Sequence, residues 1–320
     1  MADIQALHSL REQLSSIIVG QQELLDRLVI AVLSGGHVLL EGPPGLAKTT
    51  VVHALASGIA ASFQRVQFTP DLMPGDLTGS DIFEPANGSF RFVHGPLFHE
   101  ILLADEINRA PPKVQSALLE AMAEHQVTVG GQTHKLPELF MVLATQNPLE
   151  QSGTYPLPEA QLDRFLFQII LDYPQLDEEI EITRRARQAT EGHVEAGISP
   201  VLAPDDILAL RQQLPKVFIE PSVERFAVQL VAATRRIGDY LADSRDLVQA
   251  GASPRASIAL LHAATARALL EDRDYVLPED VYALAPDVLR HRLLLDFAAQ
   301  ASGVSADTLV RRLLDAVPAP

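Results

Sequence analysis

The chain has 320 residues, 47% of them hydrophobic, so it can bury a sizeable core, is too long for one small domain and is not wholly disordered. The absence of cysteine excludes disulfides, thiolate zinc sites and cysteine nucleophiles. Its 25 basic and 41 acidic residues give a net charge of −16, which argues against a protein whose main task is to grip DNA or RNA, because such proteins need a basic surface.

The first residues, MADIQALHSL, show no basic region followed by an apolar run, so no signal peptide is expected. No apolar stretch reaches the roughly 18 residues that a membrane-spanning helix needs. We therefore expect a soluble cytoplasmic protein with no membrane span.

Apolar residues at helical spacing over residues 4–33 predict two helices, interrupted at Gly20. Turn dipeptides at Asn87-Gly88 and Gly130-Gly131 predict two hairpins. The remaining runs predict strands at 37–42, 65–68, 100–106, 140–147 and 164–171, hairpins at 81–93 and 126–136, and helices at 49–60 and 112–125. Because the strands alternate with helices and are continuously apolar, they indicate a parallel sheet covered on both faces.

The strand pattern stops near residue 177, and amphipathic helical runs follow. Helices are expected at 177–188, 222–237, 253–272 and 277–295, with a loop at 190–204. The sequence thus predicts two domains, an α/β core over residues 1–190 and a small all-helical domain over residues 191–320.

The segment GPPGLAKT, residues 42–49, nearly matches the phosphate-binding pattern G-x-x-x-x-G-K-[ST]. It lies between a predicted strand and a predicted helix, so main-chain N–H groups of the loop and of the helix N-terminus would point at phosphates. Lys48 would reach the terminal phosphates, Thr49 would place its hydroxyl on Mg²⁺, and Gly45 supplies conformational freedom. The candidate residues are Gly42, Pro43, Pro44, Gly45, Leu46, Ala47, Lys48, Thr49 and Thr50. A plain Pro/Gly turn is the alternative interpretation.

Ala47 stands where the pattern has its second glycine. A methyl group is tolerable there if the main chain is helical, whereas a required positive φ would exclude it. The residue is therefore a test of whether the loop can form.

The strand ILLADE ends in Asp105 and Glu106. An acid at the end of a neighbouring strand is where a P-loop enzyme holds Mg²⁺, and the next acid is positioned to orient or deprotonate the attacking water. A solvated turn is the alternative for such a pair, but two independent parts in the right order favour a nucleotide site.

Three further polar residues have two interpretations each. Asn147 ends another apolar strand and could orient water, or it could simply start an Asn-Pro turn. Arg164 could be an arginine finger for a neighbouring subunit's phosphate or a surface ion-pair partner. Ser253 and Pro254 favour a helix start, so Arg255 would lie in the first turn of that helix, where a cation opposes the helix dipole. This position indicates either that Arg255 has an anionic partner or that its side chain simply reaches solvent.

With these blocks in order, the sequence resembles the AAA+ ATPases, and specifically the MoxR family, over nearly the whole chain. The matching segments are GPPGLAKT, VQFTPDLMPGDLTG (66–79), DEINRAPPKVQSALLEAM (105–122), ATQNP (144–148), LPEAQLDRF (157–165) and GASPRAS (251–257). Alanine before the lysine is familiar in that family. The resemblance implies a P-loop AAA+ core with a five-stranded parallel sheet and hairpin inserts, followed by a small all-α lid domain.

The resemblance also implies roles for individual residues. Lys48 and Thr49 correspond to the Walker A lysine and hydroxyl. Asp105 corresponds to the Walker B metal ligand and Glu106 to the catalytic glutamate. Asn147 corresponds to the first sensor.

Further positions follow from the same resemblance. Arg164 corresponds to the arginine finger and Arg255 to the second sensor on the lid. The segment IIVGQ, which contains Val19 and Gly20, resembles the N-terminal linker that contacts adenine. Arg109 matches a position near the subunit interface.

The function implied is Mg²⁺-dependent hydrolysis of ATP to ADP and phosphate by a homo-oligomeric ring, most often a hexamer. The energy would remodel or mature a protein client, often a metalloenzyme or a complex with a von Willebrand factor A domain protein. The hairpin at 81–93 offers Phe90, Arg91 and Phe92 as a hypothetical client contact, although ordinary hairpin packing explains them equally well.

Three other functions remain open. A metal-chelatase motor subunit shares the hairpin inserts and differs in its partners. A nucleotide-gated scaffold would assemble with negligible turnover. A helicase-like motor is disfavoured by the acidic charge.

Overall fold

The computed structural model describes residues 4–86, 88–147, 153–190 and 198–320 and divides the chain into two units. One unit contains Met1–Pro156 and Ile169–Ala209, and the other contains Leu157–Gln168 and Leu210–Pro320. The predicted boundary at 190/191 adjoins residues outside the described ranges and stays a prediction. Within the described ranges, no helix combines the length and the apolar character needed to cross a bilayer.

The elements of residues 4–211 follow the predicted order. They are α1 Ile4–Ile17, α2 Gln22–Ser34, β1 Val38–Glu41, α3 Lys48–Gly58, β2 Phe63–Gln67, α4 Pro74–Thr78, β3 Gly79–Glu84, β4 Ser89–His94, β5 Ile101–Asp105, α5 Pro112–Glu124, β6 Gln126–Val129, β7 Gln132–Lys135, β8 Met141–Gln146, α6 Glu159–Leu162, β9 Phe167–Ile170, α7 Leu176–Thr190 and α8 Pro204–Arg211. The short helices α4 and α6 and the helix α8 were not predicted.

Five strands form one parallel sheet in the order β2-β5-β8-β1-β9, which confirms the α/β core. The three central strands are buried along nearly their whole length, because both faces of a parallel sheet are covered. The edge strand β2 differs from the prediction of continuously apolar strands. Its Arg65 and Gln67 lie on one face, two residues apart, and an edge strand with an accessible face tolerates such polar side chains.

Both predicted hairpins are present. The pair β3–β4 turns through Gly88, and Asn87 lies outside the described residues; the pair β6–β7 turns at Gly130 and Gly131, whose φ values are 57° and 81°. Phe92 stacks on His134 of the second hairpin with ring centroids 3.9 Å apart. Phe90 contacts Phe83 of its own hairpin, with ring centroids 5.2 Å apart, and is 71% exposed. Both phenylalanines therefore make hairpin contacts, and the role of Phe90 in client contact stays a hypothesis.

The C-terminal residues are helical, as predicted. The elements are α9 Pro221–Arg235, α10 Ile237–Tyr240, β10 Val248–Ala250, α11 Pro254–Leu270, α12 Pro278–Leu289, β11 Leu294–Leu295, α13 Phe297–Ala301 and α14 Ala306–Ala316. The predicted helix start at Ser253 is confirmed, because its Oγ accepts the main-chain N–H of Arg255. Sequence reasoning missed α10, α13, α14 and the short antiparallel pair β10–β11, which joins two- and three-residue strands too short for a pattern.

Candidate active site

Polar side chains gather where the central strands of the sheet end. Glu41 of β1 lies opposite Gln146 of β8, and Asp105 of β5 lies opposite Gln67 of β2. Because parallel strands present their carboxyl ends at one edge, Asp105, Glu106 and the residue after Gln146, Asn147, reach the same edge as the loop that follows β1. Three separate sequence motifs therefore meet at one place.

The loop of residues 42–47 favours glycine at two points, at Gly42 because of space and at Gly45 because of its backbone conformation. A Cβ at Gly42 would lie 2.7 Å from the carbonyl oxygen of Leu171, and Gly45 has a φ of 87° with open space where its side chain would be. The premise that a positive φ would exclude alanine at position 47 was wrong, since Ala47 itself has φ 52° and ψ 23°. An alanine in this left-handed region costs about 1–2 kcal/mol, which the fold accepts here.

Lys48 begins α3 and lies at the centre of the charged groups. Its ammonium donates a hydrogen bond to the carbonyl oxygen of Gly42 at 2.6 Å. Burial lowers the pKa of Lys48, while the carboxylates of Asp105, Glu41 and Glu106 act in the opposite direction. A cation close to three carboxylates at the mouth of an anion-binding loop is suited to neutralising phosphate charge.

Asp105 is held from two sides. The buried hydroxyl of Thr145 donates to its Oδ1 at 2.6 Å, and Arg65 donates to its Oδ2 from Nη2 at 2.6 Å and from Nε at 3.1 Å. Thr145 also accepts the main-chain N–H of Glu106 at 2.9 Å, so one threonine holds the carboxylate of Asp105 and the backbone of Glu106. The side chain of Arg65 is 48% exposed.

Glu106 has a left-handed main chain, with φ 56° and ψ 50°, just before a short 3₁₀ helix, Ile107–Arg109. Its Oε2 accepts a hydrogen bond from Gln67 at 2.7 Å and lies 3.1 Å from Nε of Arg109. Backbone strain at a reactive residue of a site is a recurring feature of enzymes. Arg109, which sequence reasoning assigned to an interface, thus contacts the predicted base in its own chain.

The donor set at this edge fits a magnesium ion that arrives with a nucleotide. Asp105 supplies carboxylate oxygens, Thr49 supplies a hydroxyl in the first turn of α3, and the open side of Gly45 leaves room for a phosphate. Among the described residues, no three His, Cys, Asp or Glu side chains are grouped so as to hold a metal ion. Magnesium uses one or two carboxylates plus phosphate oxygens rather than an all-protein cage, so this set is sufficient.

A cavity of about 440 Å³ adjoins the loop. Its walls include the predicted linker residue Val19, and Gly20 beside it has a φ of 76°. The lining residues are Ile17, Ile18, Val19, Gln21, Pro44, Gly45, Leu46, Ala47, Thr50, Tyr173, Pro174, Glu179, Ile182, Thr183 and Arg185. A cavity that joins apolar walls to a phosphate loop is suited to a nucleotide base.

The two predicted arginines lie in the second unit. Arg164 is exposed and follows Asp163, and one Nη of Arg255 lies 3.8 Å from Oδ2 of Asp163. Arg255 thus lies near the aspartate that directly precedes Arg164 in the chain, while the reach of both arginines toward a nucleotide stays a prediction.

Sequence reasoning missed three residues of this site. Thr145 lies in the quoted motif ATQNP, and a hydroxyl at the buried end of an apolar strand was a usable signal. Arg65 and Gln67 alternate along β2, and this period-2 pattern marked a polar face toward the acids of β5.

Comparison with known proteins agrees with this geometry. The sequence profile described as "ATPase family associated with various cellular activities (AAA)" matches residues 37–167. The profile described as "AAA lid domain" matches residues 241–313.

Full-length relatives narrow the family. The chain is 44% identical to Chaperone MoxR1 of Mycobacterium tuberculosis, over 100% of this chain and 84% of that protein. It is 34% identical to Protein MoxR of Methylorubrum extorquens, over 96% of this chain and 93% of that protein. A crystal structure from Cytophaga hutchinsonii matches with a TM-score of 0.92 and 43% identity, covering 99% of this chain and 96% of that one. The chain therefore belongs to the MoxR family of AAA+ ATPases and is an ATP hydrolase.

Proposed function

We propose that this ATPase is Mg²⁺-dependent and uses hydrolysis of ATP to ADP and phosphate to remodel or mature a protein client. The observation that carries the proposal is the meeting of Lys48, Asp105 and Glu106 beside the phosphate loop, at one edge of the sheet. A cation for phosphate, a carboxylate for the metal and a second carboxylate for water are the parts that phosphoryl transfer to water requires.

Each residue has a defined task in the proposed reaction. Lys48 and the loop N–H groups bind the terminal phosphates, and Thr49 with Asp105 would hold Mg²⁺. The ion, when bound, would neutralise charge on the phosphate oxygens. Glu106 takes the proton of the attacking water, and Asn147 orients that water.

The hydrogen bonds of Glu106 bear on this task. Its Oε2 is engaged by Gln67 and Arg109, so an oxygen that is to accept a proton from water has to give up at least part of this pairing. Both partners are at the surface, where exchange with water is inexpensive. We infer that nucleotide binding and release of Glu106 occur together.

The partners are proposed from the relatives. One relative is named a chaperone, which supports a protein client for this chain. We propose a homo-oligomeric ring, a hexamer, in the cytoplasm, in which Arg164 supplies the finger to a neighbour's nucleotide and Arg255 acts as the second sensor. A von Willebrand factor A domain protein is the proposed accessory partner.

The test compares Glu106→Gln with Glu138→Gln, a surface change of the same chemistry. Glu106→Gln keeps Asp105 for the metal and loses the base, so steady-state phosphate release falls about 10²–10⁴-fold while Mg-ATP binding persists. The Glu138→Gln protein behaves as wild type. Normal turnover in Glu106→Gln removes the glutamate from the mechanism, and negligible turnover in the wild type favours a nucleotide-gated scaffold instead.

A further inference from the structure

The side chain of Arg292 is 4% exposed, and within the described part of the chain its hydrogen bonds go to residues 163–166 and to Val288. Its Nε donates to Oδ1 of Asp163 at 2.7 Å. Its Nη2 donates to the carbonyl oxygens of Asp163 at 3.2 Å and Phe165 at 2.7 Å, and its Nη1 to those of Leu166 at 3.3 Å and Val288. Four of these five acceptors lie in residues 163–166, so the guanidinium donates most of these hydrogen bonds to that segment.

The two residues before Arg292 reinforce the same contact. Nε2 of His291 donates to the carbonyl oxygen of Phe165 at 3.1 Å, and Nη1 of Arg290 donates to that of Gln168 at 2.5 Å. Burial and the neighbouring Arg292 lower the pKa of His291 well below its usual value, so the ring is neutral and Nε2 carries its proton toward the carbonyl. We call Arg290, His291 and Arg292 the RHR clamp.

Arg164 lies inside the clamped segment. The carbonyl groups immediately before and after it, those of Asp163 and Phe165, both accept from the same nitrogen of Arg292. Phe165 is fully buried, whereas the side chain of Arg164 is exposed. The clamp therefore fixes the main chain on both sides of an exposed arginine, and with it the direction in which that side chain leaves the backbone.

Asp163 extends the arrangement to Arg255. Its Oδ1 accepts from Arg292, while its Oδ2 accepts from the hydroxyl of Ser253 at 3.2 Å and lies 3.8 Å from Arg255. One carboxylate thus links the clamp to Arg255, and the residue that carries it directly precedes Arg164 in the chain. A buried charge of this kind is a poor source of stability compared with packed apolar side chains, so its presence calls for another reason.

We propose that Arg292 is a positioning residue for Arg164, holding the main chain so that the finger meets a neighbouring subunit's phosphate in the geometry of the transition state. The inference rests on the proposed role of Arg164. A misplacement of a reacting group by about 1 Å costs on the order of 10²-fold in rate, so loosening the clamp acts on turnover. Ground-state binding of ATP, which depends on the phosphate loop, stays as it is.

The experiment compares Arg292→Lys with Arg273→Lys. Lysine keeps the charge of Arg292 but cannot make the planar set of hydrogen bonds. Arg273 is the matched control, because it also bonds a buried aspartate in the same unit, Asp280, at 2.7 and 2.8 Å, and has no contact with residues 163–166 among its described bonds. Arg292→Lys lowers kcat by roughly 10–100-fold with KM for ATP within about twofold, whereas Arg273→Lys leaves both unchanged within about twofold.

Non-additivity is the second measurement. In the Arg164→Ala background, Arg292→Lys causes no further loss of kcat, because the finger it positions is already absent. If Arg292→Lys does not fold, Asp163→Asn replaces it, because asparagine keeps an oxygen that can accept from Nε of Arg292. The same loss of kcat and the same non-additivity with Arg164→Ala are then expected.

Three outcomes are decisive. A normal kcat in folded Arg292→Lys overturns the inference. So does a loss of kcat in Arg292→Lys that adds to the loss caused by Arg164→Ala, or an equal loss of kcat in Arg273→Lys. If Arg164→Ala itself turns over at the wild-type rate, the finger assignment fails instead, so the two failures are distinguishable.

Discussion

Two arginine–aspartate pairs of nearly equal length differ in the exposure of the arginine, whereas both aspartate side chains are 18% exposed. Arg65 lies 2.6 Å from Asp105 and is 48% exposed; Arg292 lies 2.7 Å from Asp163 and is 4% exposed. An exposed pair is worth about 0–1 kcal/mol and its partners exchange readily. A buried pair that loses one partner leaves an uncompensated charge, at a cost of about 3–5 kcal/mol. Distance alone therefore says little about what an ion pair does.

The difference matches the proposed tasks of the two carboxylates. In the proposed reaction Asp105 has to accept Mg²⁺, so Arg65 must be able to release it. Asp163 has to hold the segment that carries Arg164, so Arg292 must stay in place. The same residue types thus serve an exchangeable site in one unit and a fixed support in the other.

The largest expected effect is the difference in stability between the two proteins that lack one or the other arginine of these pairs. Arg292→Ala removes the donor to Oδ1 of Asp163 and to four carbonyl groups, of which that of Phe165 keeps the hydrogen bond from His291. The free energy of unfolding falls by about 3–5 kcal/mol. Arg65→Ala changes it by less than about 1 kcal/mol. Urea titration of both variants measures the contrast, and equal losses would contradict the distinction drawn between the pairs.

A change of pH is expected to have a medium effect on the free energy of unfolding. Burial places the pKa of His291 in the folded protein well below 6.5, so the unfolded chain binds the proton first as pH falls. The contribution of neutral His291 to the free energy of unfolding is therefore complete above about pH 6.5 and is lost as the pH falls below it. This residue lowers the free energy of unfolding by up to about 1.4 kcal/mol per pH unit.

The comparison is between wild type and His291→Gln. His262, whose pKa partial desolvation and Arg211 also lower, contributes in the same direction to both proteins. Glutamine does not titrate, so urea midpoints of the variant depend less steeply on pH between 6.5 and 5. Parallel pH profiles would show that His291 is not buried as a neutral ring.

The smallest expected effect concerns metal affinity. Arg65→Ala removes the cation that competes for Asp105, so the site binds a divalent ion up to about fivefold more tightly in the presence of nucleotide. Mn²⁺ titration followed by electron paramagnetic resonance measures this without turnover. A weaker affinity in the variant would mean that Arg65 supports the metal site rather than competing for it.

Much of the fold and of the phosphate site could be predicted because the informative residues are contiguous. Buried strands that end in polar residues specify both the sheet and its functional edge, which is how Lys48, Asp105 and Glu106 were placed together. The left-handed backbone of Ala47 was not predicted, since the sequence carries no glycine to signal it.

The RHR clamp lay beyond sequence reasoning for a different reason. Arg292 is 129 residues from Asp163, and nothing local to either position indicates the other. The helix predicted at 277–295 ends at Leu289 in the structure, so the prediction wrongly placed Arg292 on it. From the sequence, an arginine at that position reads as an ordinary surface charge. Contacts of this separation follow from topology, which patterns along the chain do not specify.

The central claim is that Arg164 completes the active site of a neighbouring subunit, and mixing two inactive variants tests it most directly. Arg164→Ala keeps its glutamate and Glu106→Gln keeps its finger, so in rings mixed at equal amounts roughly a quarter of the interfaces join an intact glutamate to an intact finger. We expect ATPase activity to reappear on mixing, while each variant alone at the same total concentration is nearly inactive. If the subunits exchange and activity does not return, or if a strictly monomeric preparation is fully active, the finger does not act between subunits.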